Sequence, residues 1–245
     1  METAESHERA AGLLLQSELP GAVGADPKRI WLPEDLIDAA VRFGRLEFTP
    51  GTGFSYGDTG YVLAGIAIEQ LLGVRLADAY RSLVFNPLGM QATYLEWHEP
   101  SRGFPISHHY DGDRDLTMAN TSFDWAGGGL VTTAGDLVRF LRGVFGALLF
   151  DRRWSAELTA WRDALRWRRD SSARYERYGL GMGVNRACGE EIIGATGVWG
   201  AFAYYYPALD AAIAGTVNLR GLKATPMLDA VVGAFKTIRR HRTRL

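Results

Sequence analysis

The stretch FTPGTGFSYGDTGY, residues 48–61, carries two residues able to do chemistry, and they imply different reactions. Gly53-Phe54-Ser55-Tyr56-Gly57 fits G-x-S-x-G, the nucleophile elbow in which a Ser sits on a sharp strand-to-helix turn with its Oγ exposed. An esterase using Ser55 is one reading. The other centres on Tyr56, two residues before Asp58 at the head of an apolar, helix-like run. A phenol placed there can move a proton if neighbouring cations pull its pKa well below about 10. The elbow needs a buried strand leading straight into the Ser, and Phe48, Thr49, Pro50, Gly51 and Thr52 fit a strand poorly. With 29 Gly among 245 residues, about 0.1 such motifs arise by chance, so the pattern alone is weak.

The elements that must position these residues follow from periodicity and punctuation. Residues 33–44 predict a helix, with Pro33 in its first turn, acidic residues next and Gly44 as the stop. Residues 59–72 predict a second helix, capped by Asp58 or Thr59 and closed by Gly73. It is apolar nearly all round, which predicts that it is buried. A further helix is expected over about 76–85, ending before Asn86-Pro87. Residues 97–125 lack periodicity and read as loop. The run after Thr133 reads as a helix with Thr133 as cap and Asp136 at its third position. Residues 151–178, basic and aromatic, read as helix plus connection. Beyond them, short runs rich in Gly, aromatic and β-branched residues predict antiparallel strands. A last helix is expected over about 224–240, with Met227, Leu228, Val231, Val232 and Phe235 as its apolar positions. Helices, then a meander, then a terminal helix make an α+β chain, without the alternation of a parallel sheet.

Composition narrows the function classes. At 47% hydrophobic and 22% charged, the chain is ordinary for a folded protein. A net charge of −1 speaks against a dedicated nucleic-acid or membrane-surface binder. The single cysteine, Cys188, excludes an internal disulfide and a Cys-based zinc site, and it reads as a small packing residue. The start shows no secretory pattern, and no run approaches the roughly 20 apolar residues of a membrane span, so a cytoplasmic location is expected. His108, His109, Asp111, Asp113 and Asp115 lie close together, but without the spacing of a calcium loop they read as a solvated turn. The Arg- and Trp-rich residues 161–178 read as a solvated helix, and the basic C-terminus needs no ligand at a helix end. Trp125 and Trp199, beside Gly-rich segments, either line a site or simply pack.

Taken together, FTPGTGFSYGDTGYVLAGIAIEQLLG, VFNPLGM, AGGGLVTTAGDLVRFL, YGLGMGV and GATG followed by two strands resemble the serine β-lactamase and penicillin-binding protein superfamily. The branch is that of class C β-lactamases, D-alanyl-D-alanine carboxypeptidases and esterases. The resemblance runs from about residue 12 to 235 and implies a β-lactamase/transpeptidase-like α+β fold: a helical subdomain over about 12–175, then antiparallel strands and a terminal helix over about 176–245. It implies Tyr56 as the Tyr of a Y-x-N motif that helps move a nucleophile's proton. Asp58 stands where that motif has Asn; an ionised Asp accepts a hydrogen bond but cannot donate one. Ala195-Thr196-Gly197 stands for K-T-G or H-T-G, keeping Thr196 and Gly197 without the cation. The Val198 N–H falls where the family builds half of an oxyanion hole. The resemblance implies no metal or organic cofactor.

The family's nucleophile is the Ser of S-x-x-K, and none of the serines here is followed by Lys at that spacing. GLLLQSELPG, residues 12–21, resembles the stretch that follows the nucleophile-bearing helix, so the N-terminal part of the fold is expected to be missing. Losing the nucleophile of a concerted unit costs about six orders of magnitude in turnover. The expectation is a serine hydrolase of β-lactam, D-Ala peptide or ester bonds that is truncated or degenerate, and weakly active or inactive alone. A non-catalytic binding protein of the same fold is the alternative. Expected partners are a small-molecule, peptide or ester substrate, with a second copy or a complementing N-terminal segment, and no nucleic acid.

Overall fold

The computed structural model describes residues 29–43, 48–49, 51–54, 56–103, 105–163, 175–221 and 224–242. They fall into two compact units. One comprises the chain up to residue 103 together with Met118–Thr132; the other comprises Pro105–Thr117, the segment from Thr133 to residue 163, and the chain from residue 175 on.

In the first unit, α1 (Pro33–Phe43) opens with Glu34 and Asp35 in its first turn, and the Asp35 carboxylate accepts the Leu32 N–H at 3.0 Å. Such a bond satisfies a donor that the helix itself leaves open. Helix α2 (Asp58–Leu72) ends at Gly73, whose φ of 65° lets its N–H return to the Glu69 carbonyl. Its start differs from expectation: Gly57 is the cap residue, extended and without a side-chain bond, and Asp58 is the first helical residue. A carboxylate in the first turn is favoured by the helix dipole, so Asp58 stabilises the start from its first helical position. Helix α3 (Leu76–Tyr80) runs into a π-helical turn, Arg81–Phe85, and then one more turn, Asn86–Leu88. The helical path therefore passes Pro87 and stops at Gly89, because a proline in a first turn forfeits no hydrogen bond.

Trp31, Leu36, Val62, Leu76, Leu95 and Trp125 form this unit's core. Strand β1 (Tyr94–Leu95) pairs antiparallel with β4 (Leu130–Val131). Between them in sequence lies α4 (Trp125–Gly128), which packs on α2 where Gly65 leaves room for the Trp125 ring. The expected burial of α2 does not extend to every side. Its contacts with α1, α3 and α4 cover one face, while Leu63 and Leu71 on another remain 53% and 84% exposed.

The second unit is built on a six-stranded antiparallel meander: β5 (Arg162–Asp163), β6 (Arg177–Tyr178), β7 (Gly183–Ala187), β8 (Glu190–Thr196), β9 (Ala201–Tyr206) and β10 (Ala211–Thr216), in that spatial order. Residues opposite one another across a ladder share a face. Tyr204 sits opposite Gly194 and Ile213, and this face, with Ile192, Phe202 and Tyr206, packs against Leu228 and Val232 of α7 (Thr225–Arg242). Val184, Ile193 and Tyr205 share the other face, where α5 (Ala134–Phe145) lies and Phe145 stacks on Tyr205 at 4.0 Å. The expected cap of α5 is present: Thr133 Oγ1 accepts the Asp136 N–H at 3.1 Å.

Two regions are more structured than the sequence suggested. Residues 97–125 contain a small hairpin, β2 (Tyr110–Asp111) with β3 (Arg114–Asp115), which joins the sheet-bearing unit through the Tyr110–Leu219 bridge. Of the helix plus connection expected over 151–178, residues 151–163 form a short 3-10 turn, a helical turn α6 (Ser155–Leu158) and β5, and residues 164–174 lie outside the described residues. Cys188 is an exposed turn residue between β7 and β8 with φ 48°, not a packing residue. No single helix among the described residues is long and apolar enough to cross a membrane.

Candidate active site

The site candidates fall into two groups, one in each unit. In the first, Tyr56 precedes α2 and Asp58 begins it. Tyr56 is 45% exposed, with its ring 5.8 Å from that of Tyr61 one turn along the helix. The glycine segment after Trp125 closes on the same helix start: a Cβ placed on Gly127 would come within 3.0 Å of the Asp58 Cβ. Only glycine lets the backbone approach that closely without displacing Asp58. Ser55, the alternative nucleophile, lies outside the described residues.

Trp125 holds this arrangement from beneath. It is 3% exposed, with φ 26° and ψ −115°, and its ring fills the space left by Gly65. A non-glycine residue at that φ stores backbone strain of about 1–3 kcal/mol that the surrounding packing must offset. His98 packs edge-on against the ring at 6.5 Å, and its Nε2 lies 3.2 Å from the Ser122 carbonyl. Burial pushes the His98 pKa below its ordinary value. Of the two readings of Trp125, packing is therefore the one observed.

In the second unit, Thr196 closes β8, and Gly197 and Val198 follow in the turn. The Thr196 hydroxyl points into the sheet's own network. It lies 3.0 Å from the Tyr204 hydroxyl, which also accepts a bond from Asn185 Nδ2 at 3.1 Å. The Thr196 N–H donates to the Tyr175 hydroxyl at 3.3 Å. Tyr175 lies flat on β7 because Gly183 offers no side chain there; a Cβ at Gly183 would fall 2.0 Å from the ring. Gly197 donates to the Ala201 carbonyl at 2.7 Å and fixes the base of the turn. The Val198 carbonyl accepts from the Gly221 N–H at 3.2 Å, whereas the Val198 N–H makes no hydrogen bond among the described residues. An unengaged backbone donor beside a strand end can bind a carbonyl oxygen or an oxyanion.

Tyr175, Tyr204 and Asn185 were not anticipated as partners of Thr196. The alternation of AFAYYY places Tyr204 on the same face as Gly194, but nothing in the spacing reveals the bond to Thr196. Trp199, the second aromatic flanking a glycine segment, is half-buried. The ring of His109 meets it edge-to-face at 5.2 Å, and the guanidinium of Arg220 lies 5.7 Å from its centre. The polar cluster at 107–115 is a closed hairpin. His108 Nδ1 lies 2.7 Å from Asp115, whose other oxygen accepts from the Thr117 backbone and hydroxyl. The Thr117 hydroxyl first, then its N–H and His108, hold the Asp115 pKa down at about 2. Among the described residues, no three His, Cys, Asp or Glu are placed to hold a metal ion.

The sequence model of the Beta-lactamase family matches residues 10–234, and the chain belongs to that family. Serine beta-lactamase-like protein LACTB, mitochondrial, from Homo sapiens is 34% identical over 100 residues, 39% of this chain and 18% of that protein. D-aminopeptidase from Brucella anthropi is 26% identical over 191 residues, 71% of this chain and 32% of that one. The D-amino acid amidase from Ochrobactrum anthropi SV3, in its complex with L-phenylalanine, superposes with a TM-score of 0.75 at 26% identity, covering 86% of this chain and 65% of the amidase. The chain thus spans about two thirds of that neighbour and smaller shares of the curated relatives.

Proposed function

We propose that this chain carries the substrate-recognition part of a β-lactamase-family serine hydrolase for amides or peptides of D-amino acids, and that alone it is weakly active or inactive. The unengaged Val198 N–H at the end of β8 carries the reading, since it is a donor available to a substrate carbonyl. The similarity to a D-aminopeptidase and a D-amino acid amidase supports the substrate class. Tyr56 is assigned the proton-moving role. Asp58, an acceptor when ionised, suits the α-ammonium group of an amino acid amide better than a neutral acyl side chain. In the other unit, Thr196 and Gly197 shape the strand end that presents the Val198 N–H. Turnover needs a nucleophile that attacks the carbonyl and expels the amine. No serine in the sequence has Lys three residues on, so turnover by a Ser–Lys pair of that spacing is not supplied by these residues.

Intact-protein mass spectrometry after incubation with a fluorophosphonate, a penicillin and an activated ester tests this reading. The expected result is a folded protein, confirmed by circular dichroism, without adduct. A stoichiometric adduct mapping to Ser55 would overturn it in favour of an esterase using G-x-S-x-G.

A further inference from the structure

The turn from β8 to β9, residues 197–200, contains two glycines among four residues and has little intrinsic reason to hold one shape. Its ends are tied by backbone bonds: Gly200 donates to the Gly197 carbonyl at 3.1 Å, and Val217 donates to the Gly200 carbonyl at 3.1 Å. The middle, with Val198 and Trp199, depends on a segment remote in sequence. Gly221 donates to the Val198 carbonyl, and Arg220, beside it, faces the Trp199 ring. Arg220 is itself anchored twice: its N–H donates to the Tyr110 carbonyl at 2.7 Å, and its guanidinium pairs with Asp111 at 3.1 Å. His109, from the same hairpin, supplies the edge-to-face contact with Trp199. The hairpin is locked in place by the Tyr110 N–H bond to the Asn218 carbonyl at 3.0 Å.

We infer that the β2–β3 hairpin is a positioning device for the proposed site: His109 and Asp111, acting through Trp199 and Arg220, hold the Val198 N–H in a fixed direction. The inference rests on the reading of Val198 as a carbonyl-binding donor. Aromatic and cation–π contacts of this kind are individually modest, yet they add to the single Gly221 bond that otherwise holds the middle of a two-glycine turn. His109, Asp111, Trp199 and Arg220 are thus positioning residues, and none of them is assigned contact with substrate.

The test is ¹⁵N relaxation of the full chain, with Trp199→Ala, His109→Ala and Trp199→Phe as variants. A rigid backbone shows order parameters near 0.85 and a flexible one below about 0.6. Val198 and Gly200 are expected to be rigid in the unsubstituted protein, to fall into the flexible range in Trp199→Ala and His109→Ala, and to recover in Trp199→Phe. Amides of Ile192 and Tyr204 should not change. Unchanged order parameters at Val198 in both alanine variants would overturn the inference. If Trp199→Ala unfolds the sheet, the hairpin variant His109→Ala decides. Titration with D-phenylalanine amide separates the underlying reading. A shift of the Val198 amide that weakens at least tenfold in His109→Ala supports both. No shift in the unsubstituted protein overturns the carbonyl-binding role of Val198, while the order parameters still decide the clamp.

Discussion

Thr196 shows how one side chain can belong to a motif and to a core at once. Its hydroxyl sits 3.0 Å from that of Tyr204, which is 1% exposed, so the bond is made where water cannot replace it. Replacing Thr196 by Val keeps the shape and removes the hydroxyl. Asn185 still donates to Tyr204, so the expected loss is that of one buried bond, about 1 kcal/mol. It is read as a lowered urea midpoint with unchanged slope, and Thr196→Ser should restore it. Asp58 is a different case, because its charge is the property under test. Asp58→Asn keeps the size but removes the ionic partner proposed for an α-ammonium group. Affinity for D-phenylalanine amide by calorimetry should fall about tenfold, the scale of one hydrogen bond to a charged group. An unchanged affinity would remove Asp58 from the substrate reading.

At the scale of elements, helix α2 shows which information periodicity contains. Its apolar run and Gly73 mark the helix and its end, but a helix apolar nearly all round does not say which face is covered. The answer depends on small residues that accept neighbours. Gly65 lies under Trp125, and a Cβ there would sit 2.7 Å from both the Trp125 ring and the Ala126 Cβ. Gly65→Val is therefore expected to overpack the α2–α4 contact and cost about 1–3 kcal/mol. Leu71→Lys, on the exposed face, should stay within about 0.5 kcal/mol of the unsubstituted protein. Thermal unfolding of the two variants compares the faces directly; equal losses would contradict the assigned packing. The strands were more legible than the helices' faces, because a period of two fixes both the element and its two sides. The hairpin at 110–115 was not legible, since two-residue strands have no measurable period and are held by pairing with residues more than a hundred positions away.

For the whole molecule, the order of helices, meander and terminal helix could be read from the sequence. The placement of residues 105–117 and 133–163 with the sheet could not, because it rests on contacts such as α5 on β9 and β10 that only the folded chain creates. This partition gives the two units different acid responses. The first holds His98, whose pKa burial depresses below 6.5. Below about pH 6.5 the unfolded chain takes up a proton that the folded unit resists, so stability falls as the pH drops through the folded pKa. The second holds Asp115, kept at about 2, and Glu190, lowered chiefly by its bond to Lys236. Their contributions are present above about pH 4 and are lost only as the pH falls further. Hydrogen exchange followed by mass spectrometry at pH 7 and pH 5.5, corrected for intrinsic rates, should show α2 and the β1–β4 pair opening more readily at the lower pH. Strands β7–β10 should be unchanged. His98→Gln retains a donor for the Ser122 carbonyl but cannot titrate in this range, so it should abolish the difference. Persistence of the difference in that variant would assign the acid sensitivity to another group.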